Sequence, residues 1–348
     1  MTAISLGLDD RGGLLIDDCR INSARLLVVD RKDSLQGARH GGFNSGLHSL
    51  AQRLPVSVSR MKDRTQTGWL FVLPSVLILS LIGLVPLLTV VNYSFFEIFI
   101  LDARFWVGTE WYAEIIGSGR FWASFGRSLL FSTMILCVQI PLGIAIALCI
   151  PKRKIWVGIT LAVLALPLLV PWNMIPSLWL SLLNPETGLL GRILPYLGWP
   201  DNWKLSAQHT WAVIVVMDVW HWTSLVVILC YSALATIPQS YYQAAAIDGA
   251  GPWQVFRHIQ LPKLHHVLLM AVLLRFMDSF MIYTEAFPIN AGGPNGATMF
   301  LAVDLGEDIK AFNYGPSAAR SVIYFLIVLT VAWMFSKAQG KLDGTEAT

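Results

Sequence analysis

Residues Trp69–Phe96 read WLFVLPSVLILSLIGLVPLLTVVNYSFF, 28 positions without one Asp, Glu, Lys or Arg. A helix needs roughly 20 apolar residues to cross a hydrocarbon core of about 30 Å, and this stretch exceeds that. Two further windows, Ser128–Pro151 and Ile155–Pro185, lack the same four residue types. Inside lipid a backbone must satisfy its own N–H and C=O groups, so such windows are read as helices. The composition agrees. Of 348 residues, 55% are hydrophobic and 14% charged, against about 25% charged in an ordinary soluble domain. The shortfall is concentrated in the windows, which makes the chain an integral membrane protein.

Working outward, apolar patterning predicts an all-α polytopic fold with six transmembrane helices, at about 69–93, 121–150, 155–183, 211–235, 264–288 and 317–337. Prolines 74, 86, 141, 167, 171 and 176 interrupt them; transmembrane helices tolerate Pro because neighbouring helices or water re-satisfy the freed carbonyls. Basic residues near span ends favour the cytoplasmic side. Lys62 and Arg64 precede the first span, Lys152, Arg153 and Lys154 join the second and third, Arg257 and Lys263 lie between the fourth and fifth, and Lys337 and Lys341 follow the sixth. Acidic residues gather in alternate loops: Glu97, Asp102, Glu110 and Glu114 in one, Asp304, Glu307 and Asp308 in another. Both termini are therefore expected in the cytoplasm. The net charge of +3 belongs to this orientation; no basic run interleaves with aromatics to bind nucleic acid.

Residues 1–60 are rich in Gly, Ser, Asp and Arg and hold no apolar stretch long enough to cross a membrane. They are expected to be a disordered extension or to precede a start at Met61. Residues 61–340 form the membrane domain and 341–348 a cytoplasmic tail. Cys19, Cys137, Cys149 and Cys230 have no metal or CxxC spacing and are read as small apolar core residues. Trp106, Trp111, Trp199 and Trp203 in the outer loops are assigned to the membrane interface.

The polar segment between the fourth and fifth spans runs from Ile237 to Pro262. It predicts a short helix over about 239–247, a turn at Asp248–Gly249, and a second helix starting at Pro252, with Pro262 ending the unit. Its small Ala residues allow another surface to approach the backbone closely. A helix–turn–helix held outside the membrane on two spans is a lever: a partner that moves it moves both spans.

This segment resembles the signature loop of ABC-importer permeases, Glu-Ala-Ala, three residues, Gly, nine residues, Ile-x-Leu-Pro. Ala244, Ala245, Gly249, Ile259, Leu261 and Pro262 stand at the expected spacing, and Gln243 replaces the usual Glu. With Asp248, these residues are the expected contacts to an ATPase subunit. Ala291-Gly292-Gly293-Pro294 and Phe312-Asn313-Tyr314-Gly315 look like elements of carbohydrate-uptake permeases of the maltose type, first of the two permeases. Met217–Ser224 and Leu274–Glu285 look most like the polyol branch, in particular glycerol-uptake permeases. The resemblance covers roughly residues 61–340. It implies a bacterial inner-membrane permease paired with a second permease, two ATPase subunits holding ATP and Mg, and an external solute-binding protein. The cargo is then a sugar or polyol, glycerol first, with a disaccharide or glycerol phosphate as the alternative.

Ionisable residues near mid-bilayer cost about 2.5–3.5 kcal/mol even on the lenient scale and so face a bundle interior or water. Asp218 and His221, three apart, share a face of the fourth span. Arg275, Asp278 and Glu285 share one of the fifth, with Ser279 and Tyr283 beside it. Two readings stand: an internal ion-pair network, or a polar cavity where carboxylates and Tyr283 bind hydroxyls while Trp220 or Trp222 covers an apolar edge. No phosphate-binding loop of the G-x-x-x-x-G-K-[ST] type, HExxH or GxSxG occurs, so the chain is not expected to be an enzyme or to bind a cofactor. A rival from another class is an ion-coupled transporter relaying protons through Asp218, His221, Asp278 and Glu285.

Overall fold

The computed structural model describes residues 6–8, 14–16, 65–100, 103–151 and 153–346. The chain forms two compact units, Met1–Pro74 and Ser75–Thr348. In the first, β1 (Leu6–Leu8) and β2 (Leu14–Ile16) pair antiparallel, with Leu6 opposite Ile16. The rest of the expected extension, residues 1–60, lies outside the described residues.

Helix α1 (Thr65–Tyr93) leads into a hairpin of β3 (Phe96–Ile100) and β4 (Ala103–Trp106). Then come α2 (Glu110–Gly117), α3 (Gly119–Cys149), α4 (Lys154–Leu169), α5 (Ile175–Leu182) and α6 (Leu189–Ile193). Helix α7 (Ala207–Ala235) carries the chain to the short α8 (Gln239–Ile247) and α9 (Pro252–Val255). A π-helical turn, Phe256–Gln260, joins α9 to α10 (Leu261–Phe280). Helices α11 (Phe287–Asn290), α12 (Leu301–Lys310) and α13 (Tyr314–Glu346) complete it.

Five of these helices are long and apolar enough to cross a membrane, with Pro252–Phe280 counted as one. The expected third span is a broken one: Ile155–Leu169 and Trp172–Leu182 meet at 70°. Pro167, Pro171 and Pro176 cluster at that break, and each removes a backbone donor a continuous helix would need. Counting the bent pair once gives six.

The fifth span differs from its expected 264–288. The helix stops at Phe280, and Met281 leaves helical geometry at φ −103°, ψ 30°. Residues 281–286 remain apolar enough to read as helix, but Pro288 and the Gly292–Gly293 pair restart the backbone elsewhere. Pro262 does not end the preceding unit either. It sits in the first turn of α10, and the wider π turn before it accommodates the missing N–H. Further along, α13 continues into the expected tail, as far as Glu346.

The core lies where α3, α5 and α7 meet, built from Phe131, Ile135, Ile175, Ile214, Met217 and Phe300, all fully buried. Helices α3 and α7 approach closely at Gly143, where a Cβ would stand 2.5 Å from Val226 Cγ1. Trp203 joins this core rather than the interface, because the loop carrying it folds back over α7. Cys230 is buried as expected, whereas Cys137 and Cys149 lie on the outer surface of α3.

Candidate functional site

Two arrangements stand out, one at the exposed end of the α7–α10 pair and one within it. At the exposed end, α8 carries Gln243, Ala244 and Ala245 of the predicted residues. Its last carbonyls are closed by Asp248 and by Gly249 at φ +69°, a conformation suited to residues without a Cβ. Gly251 starts α9, and its N–H is capped by Gln254 Oε1 at 2.7 Å. Gln243, Ala244 and Asp248 are exposed and Ala245 is buried beneath them. Ile259 is half-buried, Leu261 and Pro262 are exposed. Between α8 and the following turn lies a cavity of about 320 Å³ lined by Ala244, Ala245, Asp248, Gln254, His258 and Ile259. At the tip Ile247 is 87% exposed and Trp253 68%. Apolar side chains so displayed on a polar segment are the composition of a protein–protein contact.

Within the helices, Arg275 is fully buried and each nitrogen of its guanidinium has a partner. Its Nη2 donates to Asp218 Oδ1 at 2.5 Å, its Nη1 to Asp278, and its Nε to Gln139 Oε1 at 2.9 Å. The Trp222 ring covers it, 4.7 Å from Cζ to centroid. Gln139 closes the circuit: its Nε2 donates to Asp218 Oδ1 at 2.8 Å and to the Asp218 carbonyl at 3.0 Å. Helices α3, α7 and α10 are thus tied at one point. Arg275 forms ion pairs with Asp218 and Asp278, and the Trp222 ring is occupied by the guanidinium. Buried charges persist when paired and hydrogen-bonded in this manner.

The other predicted residues divide. Ser279 is buried but donates to the Arg275 carbonyl at 2.6 Å, turned onto its own helix. Asp278 keeps its side chain 40% exposed. His221 is buried against the Pro167 carbonyl of α4 with Nδ1 unpaired. Trp220 leaves the cluster, exposed on α7 with its ring edge-on to Trp179 at 5.9 Å. Glu285 and Tyr283 lie past the end of α10, so the shared face predicted for them with Arg275 does not exist. Glu285 nevertheless comes back within electrostatic range of Asp218, Asp278 and Arg275, 6% exposed and, among the described residues, without an ion pair or a hydrogen bond to another residue. Tyr283 packs on α12, where a Cβ at Gly306 would lie 2.5 Å from its ring, and lines a separate cavity of about 350 Å³.

Sequence reasoning missed two things. Gln139 carries no charge and sat unnoticed in a charge-free window. Asp304, Glu307 and Asp308 were read as loop acids, yet they form one side of α12. Asp304 is completely buried between Arg120 of α3 and Arg320 of α13; Glu307 pairs with Arg120 at 2.7 Å and Asp308 with Arg320 at 2.8 Å. Burial raises the Asp308 carboxyl pKa, only partly opposed by Arg320. The signal available was the matching Arg120 and Arg320 at the ends of adjoining spans.

Comparison with known proteins extends the picture. The profile of the "Binding-protein-dependent transport system inner membrane component" family matches residues 139–339. The trehalose/maltose transport system permease protein MalF of Thermococcus litoralis is 29% identical, over 80% of this chain and 96% of its own length. The diacetylchitobiose uptake system permease protein DasB of Streptomyces coelicolor is 30% identical, over 64% of this chain and 70% of its own. Among solved structures, a bacterial ABC transporter that imports the acidic polysaccharide alginate superimposes with a TM-score of 0.67 at 16% identity, covering 80% of this chain and 96% of that one. The same transporter bound to its alginate-loaded periplasmic protein matches equally well.

Proposed function

The chain belongs to the family of binding-protein-dependent transport system inner membrane components, and we propose that it is one permease of an ATP-binding-cassette importer for a neutral sugar or polyol. The observation that carries the proposal is the exposed helix–turn–helix of α8 and α9, suspended between two spans that are cross-tied by Asp218 and Arg275. A second permease completes the pathway. Two ATPase subunits carrying ATP and Mg grip Gln243–Pro262, and an external solute-binding protein delivers cargo. Both termini lie in the cytoplasm of a bacterial cell, and closure of the ATPase pair drives alternating access.

The cargo follows from charge. Around the cluster stand three carboxylates, Asp218, Asp278 and Glu285, against one guanidinium. The Arg275 charge is already matched by Asp218 and Asp278, so no uncompensated cation remains in the cluster to bind a phosphate. Asp278 and Glu285, the carboxylates not fully engaged, suit hydroxyl donors. That disfavours glycerol phosphate. Glycerol is the first solute to test because of the polyol-like runs at 217–224 and 274–285, and trehalose the second because of the relatives.

The test uses Gly249→Trp. A Cβ there meets no atom of its own chain within 4 Å, and Gly249→Ala, which carries the same left-handed strain at φ +69° without the bulk, is the control. In proteoliposomes containing the whole importer, uptake by Gly249→Trp is expected to fall at least tenfold with normal membrane insertion. Normal uptake by this variant, or wild-type uptake that follows an ion gradient and ignores ATP, would overturn the proposal.

A further inference from the structure

The Phe312–Gly315 stretch, singled out in the sequence, has no part in the lever or the ion cluster. It closes α12 with a regular C-terminal turn: Phe312 N–H donates to the Ile309 carbonyl at 3.1 Å and Asn313 N–H to the Asp308 carbonyl at 3.0 Å. The left-handed position of that turn normally goes to Gly. Here it holds Phe312, at φ +62° and 70% exposed. A large aromatic side chain is kept in a strained backbone state only to be shown to the surroundings. Such outliers persist where the surrounding structure over-determines them, and they cluster at ligand-binding sites.

What it overlooks is a cavity of about 260 Å³ between the β3–β4 hairpin and the start of α13, lined by Glu97, Trp111, Phe312, Asn313, Tyr314 and Gly315. The hairpin reaches it because residue 315 has no side chain; a Cβ there would stand 2.2 Å from the Phe96 carbonyl. Trp111 is pinned by its Nε1 donating to the same carbonyl at 3.3 Å, and Phe312 and Tyr314 meet edge-to-face at 6.2 Å. Glu97 is half-buried with no ion pair or hydrogen bond to another side chain among the described residues, and the Asn313 amide is exposed and equally free. Three aromatic rings, one carboxylate and one amide around a space smaller than the ~300 Å³ of ordinary ligand pockets match a small polyhydroxylated molecule. Flat rings cover C–H faces while carboxylate and amide take hydroxyls.

We infer that this cavity is a second solute site, for a polyol or one sugar ring, at the mouth of the pathway on the side where cargo arrives. The inference rests on the proposed import of a neutral sugar or polyol, and it places a waiting position apart from the intramembrane cluster.

Saturation-transfer NMR tests it on the assembled permease–ATPase complex in nanodiscs, without the binding protein. The probes are glycerol and trehalose, with glycerol 3-phosphate as the anionic control. Wild type is expected to transfer saturation to a neutral probe and not to the anion. Phe312→Gly, which keeps the turn with the residue the turn prefers, and Glu97→Gln are each expected to lower the signal at least threefold, while Tyr196→Phe, 91% exposed and outside both linings, retains it; Asp278→Asn reports the intramembrane cluster separately. Equal signal in wild type and both mouth variants, loss confined to Asp278→Asn, or no transfer to either neutral probe would overturn the second site. The first two results leave the import proposal standing, since ATP-driven uptake is measured separately. If the mouth variants change only the amount of binding protein needed to stimulate ATPase, the patch is a protein-docking surface and the solute site is overturned.

Discussion

Arg275 loses most if a partner is removed. Replacing it with Met leaves Asp218 buried and unpaired, which costs about 3–5 kcal/mol in comparable buried pairs. Arg275→Met is expected to lower the thermal midpoint of the extracted importer sharply, and adding Asp218→Asn to recover much of the loss, because no stranded charge remains. A single variant as stable as its parent would deny the bridge its structural role. At Phe312 the sign reverses. Gly relieves a left-handed strain of about 1–2 kcal/mol, so Phe312→Gly is expected to raise the midpoint, read by the same thermal scan. Sequence could pair Asp218 with Arg275 because an intramembrane charge demands an opposite. It could not find Gln139, since an amide in an apolar run carries no such demand.

Among the elements, the lever was the most legible. Pro238, the Ala run, Gly249 and Pro252 each act locally, and α8 begins and ends where they dictate. Pro262 was misread because its effect is met by a neighbour: one widened turn at Phe256–Gln260 absorbs the missing donor and lets the helix run on. Pro262→Ala is therefore expected to let this turn tighten to regular α geometry, rotating the lever about the α10 axis. Insertion should be normal and solute moved per ATP reduced, measured by parallel uptake and phosphate release. Unchanged stoichiometry would show the turn to be incidental. The end of α10 was illegible for the opposite reason. No Gly or Pro marks Met281–Ala286, and Tyr283 in that stretch seats on Gly306 of α12, a contact between residues distant in sequence.

For the whole molecule, the decisive contrast lies between spans. The apolar window of α7 is 56% buried, whereas that of Val72–Tyr93 is not buried at all. Apolar periodicity gives no inward face to Val72–Tyr93, which is apolar on every side, whereas Asp218 and His221 on α7 ask for burial. Leu79, Leu81, Ile82 and Leu88 are each more than 60% exposed, a surface that lipid and, in the proposed importer, the second permease would cover. Expressed without its partners, the chain is expected to extract as aggregates, and with them as one monodisperse complex on size-exclusion chromatography. A monodisperse lone chain would weaken the case for an obligate pair.

The tie between Asp218 and Arg275 also limits what any stroke can accomplish. It sits about 25 Å along α7 from the end that carries the lever, at 1.5 Å per residue, so the two arms are riveted well above their handle. Force on the handle can tilt them as one strut and cannot splay them. In the proposed importer the gap that lets cargo through therefore opens along a seam other than the one between these arms, with the second permease as its opposite wall.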